Sequence, residues 1–172
     1  TFATLMNHRL QNGEFIPTLQ QYLTEGAKIE GCQLILEIKP HRNEVRDKRI
    51  ADMCVELVRT LGLEKKTEYI SFSKVVCQRL HEITPDSKVA YLNGELSPAQ
   101  IKEMGLTGID YNEKVFVKHP EWLQEAKQLG LEVNVWTVDG EENLRHHVNL
   151  EGVDLITTND PEILKGILAE QE

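Results

Sequence analysis

Two opposite charges, Glu37 and Lys39, interrupt the apolar run LILEIKPHR at residues 34–42. Side chains alternate along a strand, so Ile35, Glu37 and Lys39 share one face while Leu34, Leu36 and Ile38 share the other. The aliphatic face suits packing beneath helices, which leaves the charges on the opposite side, near the strand's C-terminal end. An ionised pair taken out of water is costly unless its members are partnered or ligate a metal, so charges in that position imply a site. In a parallel α/β fold, that end of the strands is where sites are built. The second reading of the same pattern is a solvent-facing edge strand carrying a minor ion pair. The pattern by itself leaves both open.

Other chemistry-bearing residues are less pointed. His41, just past Lys39, lies where a loop histidine would be solvated or would meet an anion. His146 and His147 fall on a helix pattern and are expected at the surface, and His81 and His119 sit in helix or helix-cap positions with no assigned role. Cys32, Cys54 and Cys77 have no metal-type spacing and suggest no disulfide framework; all three are expected to be small buried thiols. Asn159, Asp160 and Pro161 open a helix after the last apolar run. A carboxylate capping that helix would compete with an anion, so the turn is expected to be structural.

The elements that must position these groups follow a regular alternation. Pro17 marks a helix start in FIPTLQQYL. Strands are predicted near Leu34 to Lys39, Tyr69 to Ser73, Val89 to Asn93, Gly108 to Tyr111, Val133 to Val138 and Val153 to Thr158, with amphipathic helix patterns between them. After the first strand, Val45, Ile50, Cys54, Leu57, Val58 and Leu61 recur at helical spacing behind Asn43, a predicted N-cap. In PEWLQEAKQL, residues Trp122, Leu123, Ala126 and Leu129 share a face. LGLE at 61–64, MGLT at 104–107 and LGLE at 129–132 each end a helix at a glycine suited to the left-handed position, with a strand close behind. Such alternation implies right-handed crossovers and a parallel sheet, either doubly wound or a (β/α)₈ barrel. No glycine-rich phosphate loop follows the first strand, which removes the main nucleotide fingerprints. If the β-branched Val133, Val135 and Thr137 meet the helices, Trp136 points inward with Asn134, as core or as pocket wall.

Length and composition bound the function. The 172 residues fit one domain, and 40% hydrophobic with 27% charged residues is a globular composition. A formal charge of −9 argues against nucleic acid or an anionic membrane surface as main partner, while leaving room for one anionic substrate in a local basic pocket. No run approaches the roughly 18 apolar residues of a membrane span.

Taken together and in order, NGEFIPTLQQYL, LILEIKP, YISFS, TPDSKVAYL, HPEWLQEAKQLGLEVNVWTVD and GVDLITTNDPEIL resemble the later segments of the glycerophosphodiester phosphodiesterase family, from about Asn12 to Leu164. The most specific parts are the E-x-K strand after I-P-T-L and the V-N-V-W-T-V strand followed by G-V-D-x-I-x-T-N-x-P. The resemblance implies a TIM (β/α)₈ barrel that hydrolyses glycerophosphodiesters to glycerol 3-phosphate and an alcohol with Mg²⁺ or Ca²⁺. It also implies that Glu37 is a metal ligand, that Lys39 is a catalytic residue supporting the phosphate, and that Phe72 and Trp136 line the substrate pocket. Ile35 departs from the family, which often has Asn there.

A larger departure is that the family's H-R-G, E-x-D and H-D motifs are missing. His8-Arg9-Leu10 does not replace the first of them, because no strand precedes it and the glycine is absent. The chain is therefore expected to be a single incomplete barrel domain over residues 1–172, supplying the third to eighth βα units and starting after the second. The shortfall would be roughly 60 to 70 residues of a ~250-residue barrel, and the segment alone is expected to be inactive. Diester hydrolysis needs a base, an acid and positive charge near the phosphorus, and Glu37 alone would hold neither metal tightly. Two other classes stay in view: a barrel phosphodiesterase of phosphatidylinositol phospholipase C type, betrayed by a cyclic phosphate product, and a non-catalytic αβ binding module. Open sheet edges leave room for a homo-oligomer.

Overall fold

Six parallel strands, hydrogen-bonded in the order in which they occur in the chain, form one sheet in a computed structural model that describes residues 1–171. They are β1 Leu34–Glu37, β2 Thr67–Ser71, β3 Val89–Tyr91, β4 Gly108–Asn112, β5 Glu132–Trp136 and β6 Leu155–Ile156. Sequential order with a helix at each crossover makes the sheet curl in one direction, giving a half-barrel. Pairing in register, such as Ile35 with Glu68, Ile70 with Ala90 and Asp110 with Asn134, keeps like faces together. Tyr69, Tyr91, Ile109, Tyr111, Val133 and Val135 therefore meet the helices and are fully buried, whereas Ile35, Glu68, Ile70, Asp110 and Asn134 line a shared hollow.

Nine helices are described: α1 Phe2–Met6, α2 Leu19–Ala27, α3 Glu44–Thr60, α4 Lys74–Ile83, α5 Pro98–Glu103, α6 Glu113–Lys118, α7 Glu121–Gln128, α8 Glu141–Val148 and α9 Pro161–Ala169. Local chemistry sets their ends. The Asn43 side chain accepts from Arg46 N at 2.9 Å and starts α3, and Thr18 with Gln21 and Ser97 with Gln100 form capping boxes on α2 and α5. Each such cap contributes about 1 kcal/mol. Gly62, Gly105 and Gly130 end α3, α5 and α7 at φ +68°, +74° and +68°, a conformation a side chain would resist.

Pro17 does stand at a helix start, one residue ahead of the cap Thr18. Several expectations are corrected. On α3 the fully buried stripe is Asp47, Ala51, Val55 and Val58, with Ile50, Cys54, Leu57 and Leu61 packed beside it and Val45 exposed. The end strand β6 is shorter than expected, since it has a ladder on one side only. Of the cysteines only Cys77 is buried; Cys32 lies in the loop before β1 and, like Cys54, is half-exposed. His147 is 7% exposed rather than on the surface, its Nδ1 3.0 Å from the Asn143 carbonyl of the preceding turn, while His146 beside it is exposed. No helix among the described residues is long and apolar enough to cross a membrane.

Candidate functional site

The C-terminal ends of the strands enclose a pocket of about 290 Å³. Glu37 ends β1, and Lys39 follows two residues later on the same side. The Lys39 Nζ donates to Glu37 Oε1 at 2.8 Å. The pair meets solvent rather than being taken out of it, with side-chain exposures of 73% for Lys39 and 31% for Glu37, because no described strand covers the outer edge of β1. An exposed pair of this kind contributes about 0 to 1 kcal/mol to stability. It therefore does little to hold the fold.

Phe72 enters from just beyond β2 and Trp136 from the end of β5. Their rings meet edge to face, 5.7 Å apart at 80°, although 63 intervening residues separate them in the chain. Trp136 Nε1 donates to the main-chain carbonyl of Asp110 at 2.7 Å, which fixes the indole as a wall. Glu37, Lys39, Phe72 and Trp136 thus all border the same pocket, with Ile70 and Leu92 behind them. A larger depression of about 430 Å³ runs along α3 between Arg46 and Met53, but no carboxylate and no aromatic ring lines it.

The loops that carry these groups are tied to one another. The Asp47 carboxylate accepts from His41 N and from Ser73 Oγ, both at 2.7 Å. Ser71 Oγ donates to the Ile38 carbonyl at 2.5 Å and accepts from Ser73 N at 3.0 Å. The residues flanking Lys39 are thereby coupled to those flanking Phe72. His41 belongs to this network, its Nδ1 3.5 Å from Asp47, and does not line the pocket. Across the pocket the corners after β5 and β6 also clasp. Asp139 accepts from Asn159 N at 2.8 Å and Asn159 Nδ2 at 2.9 Å, and these bonds hold its carboxyl below the usual range. Asp160 does not cap α9 with its side chain; its Oδ2 accepts from Gly140 N at 2.9 Å. The turn is structural by a different contact from the one expected.

Asp110 was missed by the sequence reading. It is the third residue of β4, only 2% exposed, and borders the pocket from below. Its Oδ1 has no hydrogen-bond partner. Burial pushes the carboxyl up to about 6; the neighbouring Asn134 amide pulls the other way, and the negative charge of Glu37 adds to the rise. Asn134 Nδ2 is already 3.0 Å from Thr157 Oγ1, so its amide is shared. The signal was the one that singled out Glu37, an acid at an inward position within an apolar strand. Among the described residues no three His, Cys, Asp or Glu side chains gather as a metal cage.

The family model of the glycerophosphoryl diester phosphodiesterases matches residues 2–163. No protein of curated function matches the chain. Among solved structures, a glycerophosphodiester phosphodiesterase from Parabacteroides distasonis ATCC 8503 is 41% identical with a TM-score of 0.94, over 100% of this chain and 72% of that one. A phosphodiesterase from Oleispira antarctica, in complex with the product sn-glycerol-3-phosphate, shares the fold at 18% identity and a TM-score of 0.80, over 98% and 70%. A glycerophosphodiester phosphodiesterase from Agrobacterium tumefaciens str. C58 aligns at 22% identity and a TM-score of 0.69, over 90% and 63%.

Proposed function

Because the chain belongs to the glycerophosphoryl diester phosphodiesterase family, we propose that its pocket binds the phosphate end of a glycerophosphodiester and serves hydrolysis to sn-glycerol 3-phosphate and an alcohol. The observation that carries this reading is convergence: a carboxylate, an ammonium and two aromatic walls arrive from three strands at one pocket. In this reading the six strands are the third to eighth βα units of a (β/α)₈ barrel, within a single domain.

Lys39 sets a positive charge beside the phosphoryl oxygens, where negative charge grows as the phosphorus is attacked. Glu37 is the residue that would hold a divalent cation, Mg²⁺ or Ca²⁺; its hard oxygens suit either, with substrate and water completing the shell. When bound, such a cation supplies Lewis-acid charge at the phosphoryl oxygen. Phe72 and Trp136 exclude water from the flank of the substrate, and Trp136 is held there by the Asp110 carbonyl. No described side chain in the pocket is a histidine, so proton transfer is not assigned to this set. Turnover is accordingly expected only from a protein that supplies an acid and a base to this pocket.

The test is calorimetric titration of the chain with sn-glycerol 3-phosphate in Mg²⁺ or Ca²⁺. Saturable binding, weakened about 10-fold or more in Lys39→Met, supports the reading. Absence of binding with either cation overturns it. A cyclic phosphate released from glycerophosphocholine by a complete enzyme would move the chemistry to the lyase class.

A further inference from the structure

We propose that Asp110 is a specificity determinant, its unpartnered carboxyl oxygen hydrogen-bonding a hydroxyl of the substrate's glycerol moiety at the floor of the pocket. The inference rests on the phosphodiester reading above and assigns the polyol end of the same ligand.

A carboxyl oxygen shut away from water without a partner is unfavourable, and folded proteins rarely leave one so. Asp110 Oδ1 is in that state in a residue that lines the pocket, so a small turn of the carboxyl toward a bound hydroxyl would satisfy what the fold leaves unpaired. Its surroundings do not supply the missing bond. Ile70 and Leu92 beside it in the pocket are apolar, and the Asn134 amide across the ladder is shared with Thr157. At the rim, Lys39 and Glu37 are bonded to each other and suit the phosphate and its cation. The glycerol end needs a group that hydrogen-bonds hydroxyls; Thr137 and Thr157 line the pocket from exposed positions, and the buried polar side chain there is Asp110.

The placement is also registered to the wall. Trp136 Nε1 bonds to the main-chain oxygen of the same residue, so the indole is anchored at the residue that carries the carboxyl. Lys39, the indole and Asp110 line one pocket, so a ligand held at Lys39 shares a cavity with the Asp110 carboxyl. The raised pKa of the carboxyl is compatible with this, since a hydroxyl accepts from the protonated form and donates to the ionised one.

The experiment compares sn-glycerol 3-phosphate with n-propyl phosphate, which has the same phosphate and no free hydroxyl, by calorimetry in Mg²⁺. The unmutated chain should prefer the glycerol ester by roughly 10- to 100-fold, the range for one hydrogen bond to a charged group. Asp110→Leu should bind both esters alike, with the affinity for propyl phosphate retained. Loss of both esters in parallel, or an unchanged preference, overturns the inference while leaving the phosphate reading intact. Should the Leu variant not fold by circular dichroism, Asp110→Asn is measured in the same way: a preference cut several-fold supports the assignment, and an unaltered one overturns it. Binding of neither ester by the unmutated chain overturns the phosphate reading and this inference with it.

Discussion

The hollow face of the sheet carries charges at both ends, and the two ends treat them differently. At the N-terminal rim, Lys88 Nζ lies between two carboxylates, 3.2 Å from Glu68 Oε1 and 2.5 Å from Glu132 Oε2. These hydrogen bonds, the one to Glu132 foremost, raise the lysine pKa. Gly108, lying between their strands, has no side chain to obstruct the reach, and an added Cβ would sit 2.8 Å from the Glu132 carbonyl. That end answers its own charges. At the C-terminal mouth, Glu37 and Lys39 face solvent and Asp110 holds a buried oxygen with no partner. One backbone architecture thus supports a satisfied rim, which stabilises, and an unsatisfied mouth, which is available to a ligand.

The comparison can be broken most forcefully at the mouth. In a complete enzyme, Glu37→Gln should lower cation-dependent release of sn-glycerol 3-phosphate by at least about 100-fold with an unchanged melting temperature, as expected for loss of a metal-holding carboxylate. Unchanged turnover at saturating cation would remove Glu37 from the site. Lys39→Met should lower the rate roughly 30-fold through kcat, the scale of one lost electrostatic contact to the reacting phosphate; a variant as fast as its parent would leave the lysine without a role. Trp136→Ala should raise KM for a glycerophosphodiester about 10-fold with a smaller change in kcat, because it deletes a wall and not a charge.

Two smaller effects sharpen the contrast through stability. The folded Asp110 carboxyl holds its proton up to about pH 6, against 3.8 for its ordinary value, so the unfolded state loses its proton first as pH rises. The native state is therefore penalised progressively from about pH 4 to 6, and fully above that. Asp110→Asn should raise the melting temperature of the metal-free chain by roughly 5 °C at pH 7.5, with the gain vanishing near pH 4. A variant destabilised at pH 7.5 would mean that the carboxyl serves the fold. Lys88→Met should do the opposite at the rim, lowering the melting temperature by about 2 to 4 °C while leaving the affinity for sn-glycerol 3-phosphate as it was.

Much of the fold was legible because its signals are local. Apolar runs bounded by Asn43 and the three C′ glycines mark where strands and helices start and stop, and those signals act within one or two turns of chain. The faces of β1 and β5 were legible too, from alternation alone. Asp47 and His147 were not, since each sits at a helical position whose burial depends on what docks against it. Asp110 carried a readable signal, an acid between Ile109 and Tyr111, that the sequence reading did not use.

Residue order alone determined six βα units in succession and which residues share a strand face, Glu37 with Lys39 and Asn134 with Trp136, because periodicity is a property of neighbouring residues. Only the tertiary structure decided that Phe72 meets Trp136, that the Asp110 carbonyl receives the indole, and that the Glu37–Lys39 pair stands in water. Those contacts depend on strand register and sheet curl, which arise from the packing of all the units together.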